Sequence, residues 1–414
     1  MGNVISRKLE WVSAGRWRRS LLLACGTLVL LAALRARTIP LTPAHPDFNN
    51  PWDHHKYIWM ALHDPFGFGV APFCWRIGTP ILAHLLPFTP ETSFSVISFL
   101  SLWLAGIAFY AIARRLSFPY WAALSGALLY YTQGWFVRAD LYNIWKPDPA
   151  AVCVSLFAVL CILRRNNWAY ALMLAVGVLF KESVLFVAPL YYSLNTDRPW
   201  NPRLALRTVE LAIPAMLVLV TLRALIPMRN DDPAYIVQLP ELLSQVQLGT
   251  SAYGAAWSWH NIGLPRLRAL SLQDIFSATV GVFGLVAVVL PLLSFRRSLS
   301  LLVRWFPFLF FVGLQVFFAT NAQRLLATGF PVVLLASLGG AEAVIRRFRV
   351  HWASFAAFCL ALVGVSLLRT WIVVVPVPYQ ALLLASYLLS CTTWYVAFRR
   401  SRTSSADQPP RPSA

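Results

Sequence analysis

Long apolar runs follow one another along almost the whole chain, separated by short polar breaks rich in Arg, Pro or Asn. Most runs approach the roughly 20 residues that an α-helix needs to cross the hydrocarbon of a bilayer. The pattern predicts an all-α, polytopic membrane protein with about twelve transmembrane helices. They fall near 20–36, 93–113, 118–134, 149–163, 168–181, 183–196, 208–226, 274–294, 301–319, 328–345, 352–368 and 378–396. The stretch 168–196 reads either as one long tilted helix or as two short ones turning at Lys181-Glu182. Two is preferred, because a single span would invert every charged break downstream.

The breaks then orient the chain. Arg doublets recur between runs: Arg18-Arg19, Arg114-Arg115, Arg164-Arg165, Arg296-Arg297, Arg346-Arg347 and Arg399-Arg400. With the N-terminus inside, all of them land on the cytoplasmic side, as the retention of Lys and Arg in cytoplasmic loops requires. Both termini are expected in the cytoplasm, at a plasma membrane; the Arg-rich usage points to a bacterial one. The net charge of +19 is thereby explained by topology. No solvated basic domain exists to bind nucleic acid. Charged residues make up only 12% of the chain, against about 25% in soluble domains. Residues 1–396 read as one membrane domain and 397–414 as a disordered tail. Within the domain, 1–226 form a first module, 227–273 an outer loop and 274–396 a C-terminal set of helices. No cleavable signal peptide is evident, since no small-residue site follows the first apolar run.

Topology does not account for the other face. Outer segments near 37–92, 135–148, 227–273 and 320–327 collect acids, bases and aromatic residues together. In the first of them, "NPWDHHKYIWMA" sets Asp53, His54, His55 and Lys56 side by side. Asn50 and Pro51 read as an N-cap and a first helical residue, so a short amphipathic helix should run to about His63 and lie in the interface. Asp53, Tyr57 and Met60 share one of its faces. A second short helix should start at Thr79-Pro80, just after Arg76. On local sequence alone Asp53 is a helix-capping acid. Adjacent histidines do not share a helix face, so His54 and His55 lack the i, i+4 spacing of a two-His metal site. Cys74 is a lone loop cysteine, with no disulfide or zinc framework around it.

The stretch "WDHHKYIWMA" in a long first outer loop resembles the Asp-x-x-x-Tyr-x-x-x-Ala element of the GT-C integral-membrane glycosyltransferases. "APFCWRIGTPILAHLLP" is similar to an Arg-containing second element of many bacterial members, and "GVLFKESVLFVAPL" and "NAQRLLATGFPVVLLAS" resemble two further ones. One departure stands out: His54 follows the acid where many members carry Glu or Gly. The resemblance implies a GT-C-like fold with interfacial helices in the first loop, and a polyprenyl-phosphate sugar as donor. It implies that Asp53 is the catalytic acid of the first loop, assisted by an acid of the second loop, Asp148 ahead of Asp140.

The chemistry such a transfer needs is present. A carboxylate must take the proton of the attacking hydroxyl. The leaving phosphate needs matched positive charge, which Arg supplies best through its planar fork. Asp53 is the candidate base. Arg76, Arg138, Lys181 and Arg324 are candidate phosphate partners, with Glu182, Tyr57, His54 and His260 beside them as substrate-binding candidates. Arg138 reads as a loop ion pair with Asp140. The expected partners are a lipid-linked sugar and membrane lipids. No cofactor is expected, and a divalent metal has no ligand set in the sequence. Two other functions compete. A transporter or lipid flippase would place ionisable residues near the bilayer midplane. A non-catalytic scaffold would need neither Asp53 nor a lipid-facing cavity.

Overall fold

The computed structural model describes residues 20–50, 53–196, 198, 200–229, 271–317, 322–368 and 377–406. Among them every regular element is helical. The apolar runs become helices because each keeps its backbone hydrogen bonds internal, the condition for crossing lipid. In chain order these are α1 (Ser20–Ala36), α4 (Pro90–Arg115), α5 (Tyr120–Tyr131), α7 (Asp148–Leu163), α8 (Asn167–Phe180) and α9 (Ala188–Asn195). They continue with α10 (Pro202–Leu225), the pair α11 (Leu272–Phe283) and α12 (Leu285–Leu292), and α13 (Phe295–Phe317). The last are α15 (Phe330–Phe348), α16 (Trp352–Leu367) and α17 (Val377–Ala406). Three helices, Pro90–Arg115, Pro202–Leu225 and Ser298–Gln315, are long and apolar enough to cross a membrane by themselves. The chain is an integral membrane protein. Short helices occupy the loops between them: α2 (His54–Leu62), α3 (Gly78–Leu85), the single turn α6 (Ala139–Tyr142) and α14 (Ala322–Ala327).

Two cores hold these elements. The larger joins α4, α5, α7, α8, α12, α15 and α16 through residues such as Phe109, Leu156, Leu174, Phe330 and Phe355. Here α12 and α15 approach so closely that a Cβ on Gly340 would collide with the Leu290 carbonyl. The smaller core lies under the first loop, around Tyr57, Met60, Phe68, Phe73, Phe94 and Trp145. It welds the outer segments together. Trp145 Nε1 donates to the Leu41 carbonyl at 2.6 Å, and Trp75 Nε1 to that of Ile226 at 3.1 Å. Leu62, Leu85 and Phe88 remain exposed on and beside the two short helices, which gives that surface its apolar rim.

Several expected boundaries shift. The stretch 168–196 does divide, with Lys181 extended between α8 and the 3₁₀ turn Glu182–Val187 that leads into α9. The helix of span 118–134 ends at Tyr131, before a π turn at Gly134–Arg138. The tail expected to be disordered from 397 begins as helix, since α17 continues to Ala406. The first-loop helix starts at His54, not after Asn50: Asn50 closes the preceding 3₁₀ turn Pro46–Asn49, and 51–52 lie outside the described residues.

The largest departure is in span 274–294, which bends by 110° at Gly284. Its φ of 85° and ψ of 152° suit only glycine. The backbone groups freed by the break are met from other helices. Gln133 Nε2 donates to the Phe283 carbonyl at 3.3 Å, and Gln380 Oε1 accepts from the Val286 amide at 3.3 Å. Both glutamines are buried. A Cβ at position 284 would also stand 2.8 Å from Gln380 Oε1. Gly284→Ala is therefore expected to destabilise the protein by about 1–3 kcal/mol. A thermal midpoint in detergent equal to that of the unaltered protein would contradict this account of the break.

Candidate active site

Asp53 immediately precedes α2, yet its carboxylate makes no capping bond to that helix. The capping reading is thus corrected. Oδ2 instead accepts from Arg324 Nη1 of α14 at 3.0 Å. A charge-assisted bond to a guanidinium outweighs a bond to a neutral amide, so the side chain turns away from its own backbone. The other arm of the same guanidinium, Nη2, donates to Asp148 Oδ2 at the start of α7. Asp148 Oδ1 in turn accepts from Lys181 Nζ at 2.7 Å. The four groups form a continuous ionic chain, Asp53–Arg324–Asp148–Lys181, that ties the first long loop to α14, the start of α7 and the end of α8. Asp148 and Lys181 are almost wholly buried, whereas the Asp53 side chain is 35% exposed. Asp53 is the open end of the chain and Asp148 its anchor.

A second pair stands beside it. Arg76 grips Glu182 with both arms, Nε to Oε2 at 3.0 Å and Nη2 to Oε1 at 2.5 Å. Tyr57, wholly buried, lies close enough to the Arg76 charge to feel it. A third pair joins Lys146 Nζ to Asp140 Oδ1 at 2.5 Å. Arg138 does not reach Asp140, as the sequence suggested; it donates to the Ser366 carbonyl. Lys56 is buried on α2, its Nζ 4.5 Å from the centroid of the Phe73 ring. Five cations (Lys56, Arg76, Lys146, Lys181, Arg324) thus face four carboxylates (Asp53, Asp140, Asp148, Glu182), an excess of one positive charge.

Electrostatics follow the geometry. Burial pushes the Asp53 carboxyl up, but the charges of Arg324, Lys56 and Arg76 outweigh it and hold the group below its usual value. Burial and the neighbouring His55 bring His54 down to about 4, so it is neutral at pH 7. His54 is packed, with Nε2 2.8 Å from the Phe48 carbonyl and its ring 3.9 Å from that of His55. That geometry packs the ring against Phe48 and His55 under the loop. Among the described residues no three His, Cys, Asp or Glu side chains converge as metal ligands. His260 lies outside the described residues.

Asp148 and Lys181 form the polar end of a cleft with about 540 Å³ of empty space, partly open to solvent. Ser183 and Thr328 add polar groups to it, while Leu156, Val159, Phe186, Trp305 and Phe308 supply apolar walls. Neither Asp53 nor Lys56 lines the cleft. The ionic chain therefore has two unlike sides: an apolar cleft between helices at Lys181, and the first outer loop at Asp53. Sequence reading singled out Asp53, Arg76, Asp148, Lys181, Glu182 and Arg324, and the fold brings all six together. It missed Lys56 and Lys146. The signal for them was composition: the chain has only four lysines, and all but Lys8 stand within three residues of an acid in an outer segment or at its edge.

No protein-family model matches the chain, and no curated protein matches it in sequence. In structure it is similar to the apo Archaeoglobus fulgidus oligosaccharyltransferase, with TM-score 0.47 and 14% identity over 83% of this chain and 54% of that one. It is also similar to ArnT from Cupriavidus metallidurans bound to undecaprenyl phosphate, with TM-score 0.45 and 15% identity over 91% and 75%. The chain spans about half the length of the oligosaccharyltransferase. At these identities and TM-scores the likeness assigns neither a family nor an activity.

Proposed function

We propose that this protein is a membrane glycosyltransferase that moves a sugar from a polyprenyl-phosphate donor to a hydroxyl acceptor at the outer face of the membrane. The observation that carries the reading is the ionic chain itself: a partly exposed carboxylate and a buried one share a single guanidinium, and the buried one lines an apolar cleft together with Lys181. The cleft suits a lipid tail, and its polar end suits the phosphate. In the reaction the acceptor oxygen attacks the anomeric carbon, and the bond from that carbon to the phosphate oxygen breaks. The electron pair leaves with the phosphate, and the hydroxyl proton passes to Asp53. Lys181 and Arg324 offset the charge that builds on the leaving oxygen. Arg324 has a second effect. As it turns to the donor phosphate it releases Asp53, removing part of what depresses that carboxylate, so donor binding makes the base stronger.

A transporter would place such charges at the midplane, between repeats. Here they stand at helix ends: Asp148 opens α7, and Lys181 follows the end of α8. The helix pair bent at Gly284 is served by neutral glutamines. The experiment is to reconstitute the purified protein in liposomes with a panel of radiolabelled polyprenyl-phosphate sugars and a mixture of sugars and polyols, neutral and acidic, as hydroxyl acceptors. Sugar-dependent release of polyprenyl phosphate is expected for at least one donor. Failure to bind polyprenyl phosphate and to consume any donor would sink the reading.

A further inference from the structure

Lys56 is the one cation of the cluster with no carboxylate at ion-pairing distance among the described residues. Its acid three residues back, Asp53, is engaged by Arg324. What the ammonium has instead is the face of the Phe73 ring, which the Arg76 guanidinium also approaches, at 5.9 Å from the centroid. Lys56 is only 5% exposed. A buried ammonium without a counter-ion is unfavourable, and elsewhere in this cluster each cation has its anion. Burial lowers the pKa of Lys56 and the nearby Asp53 only partly restores it. An anion brought by a ligand would offset this charge.

Which ligand follows from the order of the ionic chain. The lipid side of the site ends at Lys181, which lines the apolar cleft; Lys56 lies beyond the opposite end, next to Asp53, and does not line it. The hydroxyl that Asp53 deprotonates belongs to the acceptor. We propose that Lys56 is a specificity-determining residue that binds an anionic group, phosphate or carboxylate, carried by the acceptor near its reacting hydroxyl, so that the acceptor class is an acidic sugar or phosphorylated polyol. The inference rests on the transferase reading above and adds to it the chemical class of the second substrate. The excess of one positive charge among these side chains agrees with it, since the phosphate of the donor already has Lys181 and Arg324 to meet it.

The test uses the full chain in lipid nanodiscs and separates the two ends of the site. Two probes are titrated by calorimetry: decaprenyl phosphate for the lipid side, and glucose 6-phosphate, against glucose, for the acceptor side. The unaltered protein is expected to bind glucose 6-phosphate at least tenfold more tightly than glucose. Lys56→Met is expected to abolish that preference while changing decaprenyl phosphate affinity less than twofold; Lys181→Met should do the reverse. Lys56→Arg, which retains the charge, should keep most of the preference, and thermal midpoints of all variants show that they are folded. Three results would overturn the proposal: no preference for the phosphorylated sugar, a preference that survives Lys56→Met, or a Lys56→Met loss confined to decaprenyl phosphate. Absence of decaprenyl phosphate binding by the unaltered protein is a different failure, because it removes the transferase reading itself.

Discussion

Asp53→Asn is expected to lower turnover by a factor of about 10² to 10⁴ with little change in expression or thermal midpoint. The substitution keeps size and much hydrogen-bonding capacity but cannot take a proton. Because Asp53 makes no capping bond, α2 loses no cap when the charge goes, and the pair with Arg324 that is weakened is partly exposed. The same residue sets the acid limb of the pH–rate profile. Burial raises its pKa, Arg324, Lys56 and Arg76 lower it more, and the net shift is downward. Base function is therefore present above the depressed value and lost as pH falls through it. The stability that the carboxylate contributes has the same sign, full above the unfolded-state pKa and lost on acidification. Arg324→Met removes the largest of the opposing charges, so the acid limb of residual kcat/KM should move to higher pH. An unmoved limb, or near-normal turnover in Asp53→Asn, would take the base role from Asp53 and pass it to Asp148.

The sequence shows where the helices are far better than it shows how the charges pair. Apolar runs mark helices because lipid allows little else, and the starts of α3, α7 and α8 fall within a residue or two of expectation. The break at Gly284 is not legible in the same way. Its neighbours form an unbroken apolar run, and the two glutamines that satisfy it lie 150 and 94 residues away in sequence. Arg324 looks locally like a cation snorkelling from a short loop. Only the fold shows it bridging acids 271 and 176 residues back. Neighbouring charges even mislead. Lys146 stands near Asp148 and Lys181 beside Glu182, but Lys146 pairs with Asp140, Lys181 with Asp148, and Glu182 with Arg76. Successive side chains point apart along an extended backbone as along a helix, so proximity in sequence selects the cluster without selecting the partner. His54 is the same lesson reversed: next to Asp53 in sequence, it is turned beneath the loop against Phe48.

Asp148 separates positioning from chemistry. It is buried, with one oxygen to Arg324 and the other to Lys181. Asp148→Ala leaves the buried Lys181 ammonium without its carboxylate, whereas Arg324 still holds Asp53. Removing one partner of a buried pair costs about 3–5 kcal/mol, mostly for the charge left behind. Lys181→Met should cost less, because Asp148 keeps Arg324. The double change Asp148→Ala with Lys181→Met takes out both charges and should recover most of the lost stability, read as unfolding midpoints in detergent. Transfer activity should not recover with it, since the phosphate has lost a cation and Arg324 its second anchor. This split between regained stability and absent activity is what an electrostatic scaffold for the donor predicts. Were Asp148 instead a proton acceptor alone, Asp148→Ala would silence the enzyme at nearly unchanged stability, and the double change would be no more stable than the single one.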